Sequence, residues 1–380
     1  MSARIAASTV RSTPEALLVE WADGSRGEFA SIWLRDNIPE HRDPHSGQRL
    51  IDVIDLPENP RIRRATPRAG TVLIEWEDES EAASFALDWL AREAQHAAER
   101  REMAPRTWLE GSRLEAARDF ASAEFAGARE DEALRRAWLT RLIQDGVAFL
   151  RDVPQGALLE AMKLVGQVLE TNYGLAFDVR SVPQPENLAY SDLGLGLHTD
   201  NPYREPVPGF QALHALSTSP DGGDSLFADG FALAEHLRAH HRDAFELLTR
   251  TALPFHYRSQ NADLYAERPL IQLSCAGEVS AVHYNSRSIA PLPGRSVAQA
   301  VPFYRAYRRF AALLRETRFQ LKFRLATGEI VVFDNQRILH GRTAFSSARH
   351  ARHLQGCYLT RDSVHSAAAL LRRARPGVQS

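Results

Sequence analysis

Cysteine is nearly absent: the chain has two, Cys275 and Cys357. A pair can build neither a disulfide framework nor a four-cysteine zinc site, and the scarcity fits a reducing compartment. Long apolar runs are missing as well. No stretch reaches the length that a bilayer-spanning helix needs, and Met1–Ser12 lacks the apolar centre of a secretory leader. Charge of one sign is also lacking. A formal net charge of −2, with Lys and Arg scattered, makes no field that would gather nucleic acid or an anionic membrane. The expectation is a soluble, cytoplasmic protein with neither nucleic acid nor membrane as partner.

What remains is an ordinary globular composition, 44% hydrophobic and 25% charged over 380 residues. That suffices for one large core plus a smaller domain, at roughly 100–200 residues per domain. The first hundred residues carry a weak internal repeat. Leu18-Val19-Glu20-Trp21-Ala22-Asp23-Gly24 leads through Phe29 to Trp33-Leu34; Leu73-Ile74-Glu75-Trp76-Glu77-Asp78 leads through Phe85 to Trp89-Leu90. Alternating apolar positions around an acidic turn predict small β-hairpins, so residues 1–98 read as a compact β-rich domain. Glu93–Met103 is helix-prone until Pro105 stops it, and residues 99–113 read as a linker. Within 114–380, helical spacing covers Leu114–Phe125, Asp131–Asp145, Leu158–Leu169, Phe231–Leu248 and Pro302–Arg315. Strand patterns cover Val147–Leu150, Gln211–Leu216, Leu253–Tyr257, Ser280–Tyr284 and Ile330–Phe333. The expected fold is mainly β with helices: a double-stranded β-helix (jelly roll) beside the small β-rich N-terminal domain.

Leu197-His198-Thr199-Asp200 holds an H-x-D pair. On an extended strand, residues two apart share a face, so both side chains can reach one ion. His340, in Phe333-Asp334-Asn335 through Leu339-His340-Gly341-Arg342, is the third candidate. Two imidazoles and one carboxylate with open positions form the ligand set of non-haem Fe(II) oxygenases. Spacing alone leaves the question open, because H-x-D pairs are common and a histidine after a strand is usually structural. A rival pair, His236 and His240 with His241 adjacent, is spaced to share a helix face. It lacks the glutamate placement of a zinc hydrolase motif and reads better as a solvated basic face.

Five stretches, in their order and separation, resemble the γ-butyrobetaine hydroxylase group of the taurine dioxygenase-like superfamily. They are Trp33-Leu34-Arg35-Asp36-Asn37, Leu197–Asp200, Gly222-Gly223-Asp224-Ser225, the His340 segment, and Arg352-His353-Leu354-Gln355-Gly356-Cys357-Tyr358. The resemblance runs from the N-terminal domain through Asp362. It implies an Fe(II)- and 2-oxoglutarate-dependent dioxygenase, with iron on His198, Asp200 and His340 and with dioxygen as co-substrate. It places the distal carboxylate of 2-oxoglutarate on Arg352, aided by Ser225; the planar guanidinium takes a carboxylate bidentately. It also implies a homodimer. Many members hold zinc in the N-terminal domain through three cysteines and a histidine. The matching positions here are Ile38, Glu40, Asp43 and Ala86, none of them a thiolate or imidazole, so no zinc is expected. His41 and His45 lie nearby without thiolate company. Trp21, Trp33, Trp76 and Trp89 are expected to supply the core of that domain instead.

The same resemblance implies an aromatic cage for a trimethylammonium head at Tyr173, Phe177, Tyr190 and Tyr358. Aromatic faces suit a cation that has no N–H to donate. The other end of the substrate should be anionic. Asn187 matches an asparagine that meets the substrate carboxylate, Ser286 replaces a second one, and Arg287 and Asn201 add donors. An added guanidinium and amide favour a phosphonate. The expected reaction is hydroxylation of 2-(trimethylamino)ethylphosphonate next to phosphorus, with γ-butyrobetaine hydroxylation to L-carnitine as the alternative. Two other classes remain. A non-catalytic betaine-binding sensor would release no succinate, and a zinc hydrolase would act without oxygen.

Overall fold

The computed structural model describes residues 7–78, 81–180, 192–219, 221–292, 296–345 and 352–373. These fall into two compact units that divide between Met103 and Ala104. Among them, no helix is long and apolar enough to cross a membrane.

In the first unit, β1 (Ala7–Ser12), β2 (Ala16–Trp21) and β3 (Arg26–Ala30) form an antiparallel meander that leads into α1 (Ser31–Asp36). A second meander of β4 (Ile62–Arg68), β5 (Thr71–Trp76) and β6 (Ala83–Ala86) leads into α2 (Leu87–Glu102). The sequence repeat is therefore one structural unit used twice: each copy is a β-hairpin whose return strand, β3 or β6, runs on into a helix. Period-two burial on β5 places Val72, Ile74 and Trp76 inside, and Trp21 on β2 does the same for the first copy. The paired Trp-Leu positions lie on α1 and α2, where Trp33 and Trp89 stack with centroids 5.3 Å apart. Leu34, Leu90 and Ile38 are buried in the core so formed. Glu40 sits in the short turn Pro39–His41, Ala86 ends β6, and Asp43 accepts from Ser46 N–H at 2.6 Å.

The second unit opens with α3 (Ala116–Asp119), β7 (Ala121–Glu124), α4 (Phe125–Glu130), α5 (Glu132–Asp145) and β8 (Val147–Arg151). There follow α6 (Leu158–Met162), β9 (Val168–Leu169), β10 (Phe177–Arg180), β11 (Leu195–His198), β12 (Phe210–Ser217) and β13 (Ser225–Asp229). Helices α7 (Gly230–His240) and α8 (Arg242–Arg250) precede the hairpins β14 (Ala252–Arg258) with β15 (Asp263–Pro269), and β16 (Ile271–Leu273) with β17 (Val279–Val282). The chain closes with α9 (Val297–Leu313), β18 (Leu321–Phe323), β19 (Ile330–Asp334), β20 (Ile338–Arg342), β21 (His353–Leu359) and α10 (Arg361–Arg373). One sheet runs β10-β21-β12-β19-β8-β7, with β9 also on β21; a second runs β11-β20-β13-β18. Phe149, Ala215, Val331, Phe333 and Leu354 of the first share a core with Phe227, Leu321 and Ile338 of the second. A further apolar core joins α7, α8 and α9 to the hairpins and to Leu197, Tyr203 and Leu339.

Several local expectations are corrected. Leu114–Phe125 is not one helix. Its end becomes β7, because Ala121–Glu124 pairs in parallel with β8 and tertiary pairing overrides weak helical spacing. Leu158–Leu169 stops at Met162, and β9 takes its end. Phe231–Leu248 is two helices broken at His241, whose φ of −148° and ψ of 58° are not helical. In the segment 99–113, residues 99–102 finish α2, Arg106 pairs with Asp145 at 2.7 Å, and Trp108 N–H donates to Asp229.

A fully buried ion pair ties these elements together. Arg337, in the turn between β19 and β20, meets Asp229 bidentately at 3.1 and 2.7 Å, and neither side chain is exposed. Asp229 also caps α7 by accepting from Phe231 and Ala232 N–H. The remaining Arg337 donors reach the carbonyls of Gln144 and Arg106 at 2.7 and 2.8 Å. Arg337→Met should cost about 3–5 kcal/mol in urea unfolding, because Asp229 is left as a buried unpaired charge. A loss near zero would mean that apolar packing alone holds this junction.

His283, 1% exposed, follows β17 and bonds Gln272 Oε1 at 3.2 Å. Burial, then the charges of Arg268 and Arg361, push it down from 6.5 to about 3. The unfolded chain takes up this proton below 6.5 and the folded chain does not, so the fold loses stability as pH falls from 6.5 towards 3. The slope is about 1.4 kcal/mol per pH unit for one proton. His283→Gln should flatten the stability–pH curve by that amount in this window; an unchanged slope would remove His283 as the cause.

Candidate metal centre and its cavity

β11 and β20 run antiparallel in a register that sets His198 opposite His340, with ring centroids 4.3 Å apart. β11 ends at His198, so the strand geometry expected for the H-x-D pair does not place Asp200. Neighbouring loops do. Asp200 N–H donates to Asn335 Oδ1 at 2.8 Å, and Asn335 Nδ2 donates back to the Asp200 carbonyl at 3.1 Å. Thr199 N–H donates to the Tyr284 carbonyl at 2.7 Å, and Asn285 Nδ2 donates to the Thr199 carbonyl at 3.1 Å. So held, Asp200 Oδ1 lies 3.3 Å from His198 Nε2, and Oδ2 lies 3.6 Å from His340 Nε2. One atom from each residue falls within 4.8 Å of the others, as ligands of one metal ion must.

The charge state suits a cation. Burial pushes His198 down to about 4, helped by His340. Burial raises the Asp200 carboxyl, but the two imidazoles hold it well below the usual carboxylate range. Neutral imidazole and ionised carboxylate are the forms that bind metal. His198 Nδ1 lies 2.9 Å from the Gly196 carbonyl, which turns Nε2 towards Asp200.

A cavity of about 480 Å³ opens on the triad. Tyr173, Phe177, Asn201, Ser225, Arg287, Arg352 and Tyr358, all singled out from sequence, line it. Arg352 is 7% exposed and has no hydrogen-bond or ion-pair partner among the described residues. Burial and nearby Arg342 lower it to about 10, so it stays a cation at neutral pH. Ser225 lines the cavity with it. The Gly-Gly turn is needed for this: Gly223 has φ +72°, and a Cβ there would come 2.9 Å from Arg352 Cδ. An unpaired buried guanidinium beside a hydroxyl fits the distal carboxylate of 2-oxoglutarate, and the triad fits Fe(II).

The aromatic residues form a connected wall. Phe177 and Tyr358 have centroids 5.1 Å apart, and Tyr173 and Phe177 6.2 Å apart. Tyr203 and Tyr257 extend it, stacked at 5.1 Å, with Tyr257 edge-on to Tyr173 at 6.1 Å. The sequence reading missed both, since Tyr257 has the pattern of any strand residue and Tyr203 lies in a turn. Asn201 is buried with φ +54°; its Oδ1 accepts from Tyr203 O–H at 2.6 Å, and its Nδ2 has no partner among the described residues. Arg287 is exposed and has no side-chain partner among the described residues. Ser286 is corrected: it is exposed and does not line the cavity, whereas Asn285 does. Asn285 is already committed to the Thr199 carbonyl and to Arg287 N–H. Asn187 and Tyr190 lie outside the described residues. His236 and His240 stack at 4.2 Å on α7, where His240 Nδ1 is occupied by the His236 carbonyl.

His340→Ala should abolish tight Fe(II) binding in anaerobic titration of the whole chain, with the fold retained by circular dichroism. Undiminished affinity would exclude the triad as the metal site.

Comparison with known proteins agrees with this geometry. Residues 112–358 match the taurine catabolism dioxygenase TauD, TfdA family, and residues 9–91 match the gamma-butyrobetaine hydroxylase-like N-terminal domain. Gamma-butyrobetaine dioxygenase of Pseudomonas sp. (strain AK-1) is 36% identical over 93% of both chains. Trimethyllysine dioxygenase of Meyerozyma guilliermondii is 27% identical over 96% of this chain and 95% of its own. Human gamma-butyrobetaine dioxygenase is 28% identical over 93% of both. The chain belongs to the TauD, TfdA family of dioxygenases, and Fe(II) and 2-oxoglutarate are its cofactors.

Proposed function

We propose that this dioxygenase hydroxylates a small zwitterion with a trimethylammonium group at one end and an anion at the other, 2-(trimethylamino)ethylphosphonate in the first instance. The two facing sheets are read as its jelly roll. His198, Asp200 and His340 hold Fe(II), and Arg352 with Ser225 holds the distal carboxylate of 2-oxoglutarate. When bound, the metal and 2-oxoglutarate activate dioxygen for C–H hydroxylation, and 2-oxoglutarate leaves as succinate and carbon dioxide.

The protein's own part is placement. The faces of Tyr173, Phe177, Tyr203, Tyr257 and Tyr358 favour a cation that cannot donate hydrogen bonds. The observation that carries the anionic end is a second guanidinium without a side-chain partner among the described residues, Arg287, in the same cavity as Asn201 Nδ2, which likewise has none among them. Two donors without partners suit a doubly charged, three-oxygen group such as a phosphonate. The Pseudomonas relative, named for γ-butyrobetaine, supports a carboxylate in that place as the second reading.

Succinate and hydroxylated product are to be measured by mass spectrometry with both compounds offered in parallel. The phosphonate should turn over faster. Arg287→Leu should lower its kcat/KM roughly 10–100-fold, the worth of one charge-assisted hydrogen bond. Faster turnover of γ-butyrobetaine would replace the phosphonate reading with the carboxylate one. Activity on neither would return the aromatic wall to a packing role.

A further inference from the structure

We propose that Tyr358 is the positioning residue of the metal site, holding the Asp200 carboxylate by one oxygen while its ring forms part of the substrate wall. The metal half of this inference rests on the triad; the wall half rests on the function proposed above.

Three observations carry it. First, Asp200 stands beyond the end of β11, so no ladder orients it. Asn335 fixes only its main chain. Second, apart from the two imidazoles, the side chain has one hydrogen-bond partner among the described residues. Tyr358 O–H donates to Oδ2 at 2.8 Å. Third, Tyr358 is itself held in place. It is 4% exposed on β21, between Gln211 of β12 and Leu169 of β9, with its ring against Phe177. An anchored O–H donor therefore occupies one carboxylate oxygen and leaves Oδ1 for the metal. Such partners of a metal ligand orient it before the ion arrives and typically contribute 10–100-fold in affinity.

The arrangement gives one side chain two contacts of different chemistry. The hydroxyl serves the metal ligand, and the ring face serves the organic cation. Removing each separately tells them apart.

The test uses the full-length chain, with Fe(II) affinity measured anaerobically by chelator competition and substrate affinity by calorimetry. Tyr358→Phe keeps the ring and removes the hydroxyl. It should weaken Fe(II) binding about 10–100-fold, with affinity for the trimethylammonium compound within twofold of wild type. Tyr358→Leu should weaken both. Tyr173→Phe, which removes a wall hydroxyl that does not touch Asp200, should leave Fe(II) affinity unchanged. The absorption spectrum of the Co(II)-loaded chain should shift in Tyr358→Phe and not in Tyr173→Phe. An unchanged Fe(II) affinity and Co(II) spectrum in Tyr358→Phe would overturn the inference while leaving the triad intact. Absence of metal binding in the wild type would overturn the triad and this inference together.

Discussion

The register of one strand pair governs this protein. β11 and β20 bring His198 opposite His340, and the other edge of β20 sets Phe227 opposite His340 and Ser225 opposite Arg342. A slip of one residue would turn every side chain of β20 to the other face. His340 would leave the cavity, and its contact with Phe333 would be lost. The register is pinned where β20 begins. Arg337, three positions before His340, is locked by Asp229, and Asp229 is both the end of β13 and the cap of α7. The strands that must align are thus joined by a charge pair that tolerates no displacement without exposing a buried ion.

Around this frame the cavity is electrostatically incomplete in three places. The triad is a carboxylate held ionised between two imidazoles, ready for a cation. Arg352 is a buried guanidinium without a counter-ion among the described residues, and Arg287 with Asn201 forms a second set of unpaired donors. The aromatic wall supplies the opposite preference, for a soft cation. The buried groups among these, Arg352 and Asn201, carry a desolvation cost that ligands offset on binding. The same side chains that weaken the empty cavity therefore define what it accepts.

Two of the local expectations that failed share a cause. Leu114–Phe125 and Leu158–Leu169 have helical spacing, but each ends on a strand paired with a distant partner, β7 with β8 and β9 with β21. Short segments have weak propensity, and pairing decides them. Ser286 failed differently. A one-residue offset in a turn made Asn285 the cavity residue and left Ser286 outside. Tyr203 and Tyr257 were missed because nothing in their neighbourhoods separates a cavity wall from a core.

The sequence by itself determined the chemistry: the H-x-D pair with His340, the arginine at 352, the glycines that make room for it, and the aromatic residues. These are matters of residue type and order, and they are fixed before folding. Only the tertiary structure decided which donors stay unpaired. Arg337 and Arg352 are alike as residues, yet one is spent on Asp229 and the other faces the cavity without a partner among the described residues. The difference is a sum of long-range contacts from α5, β13 and the 104–108 segment. Local sequence holds no record of such contacts.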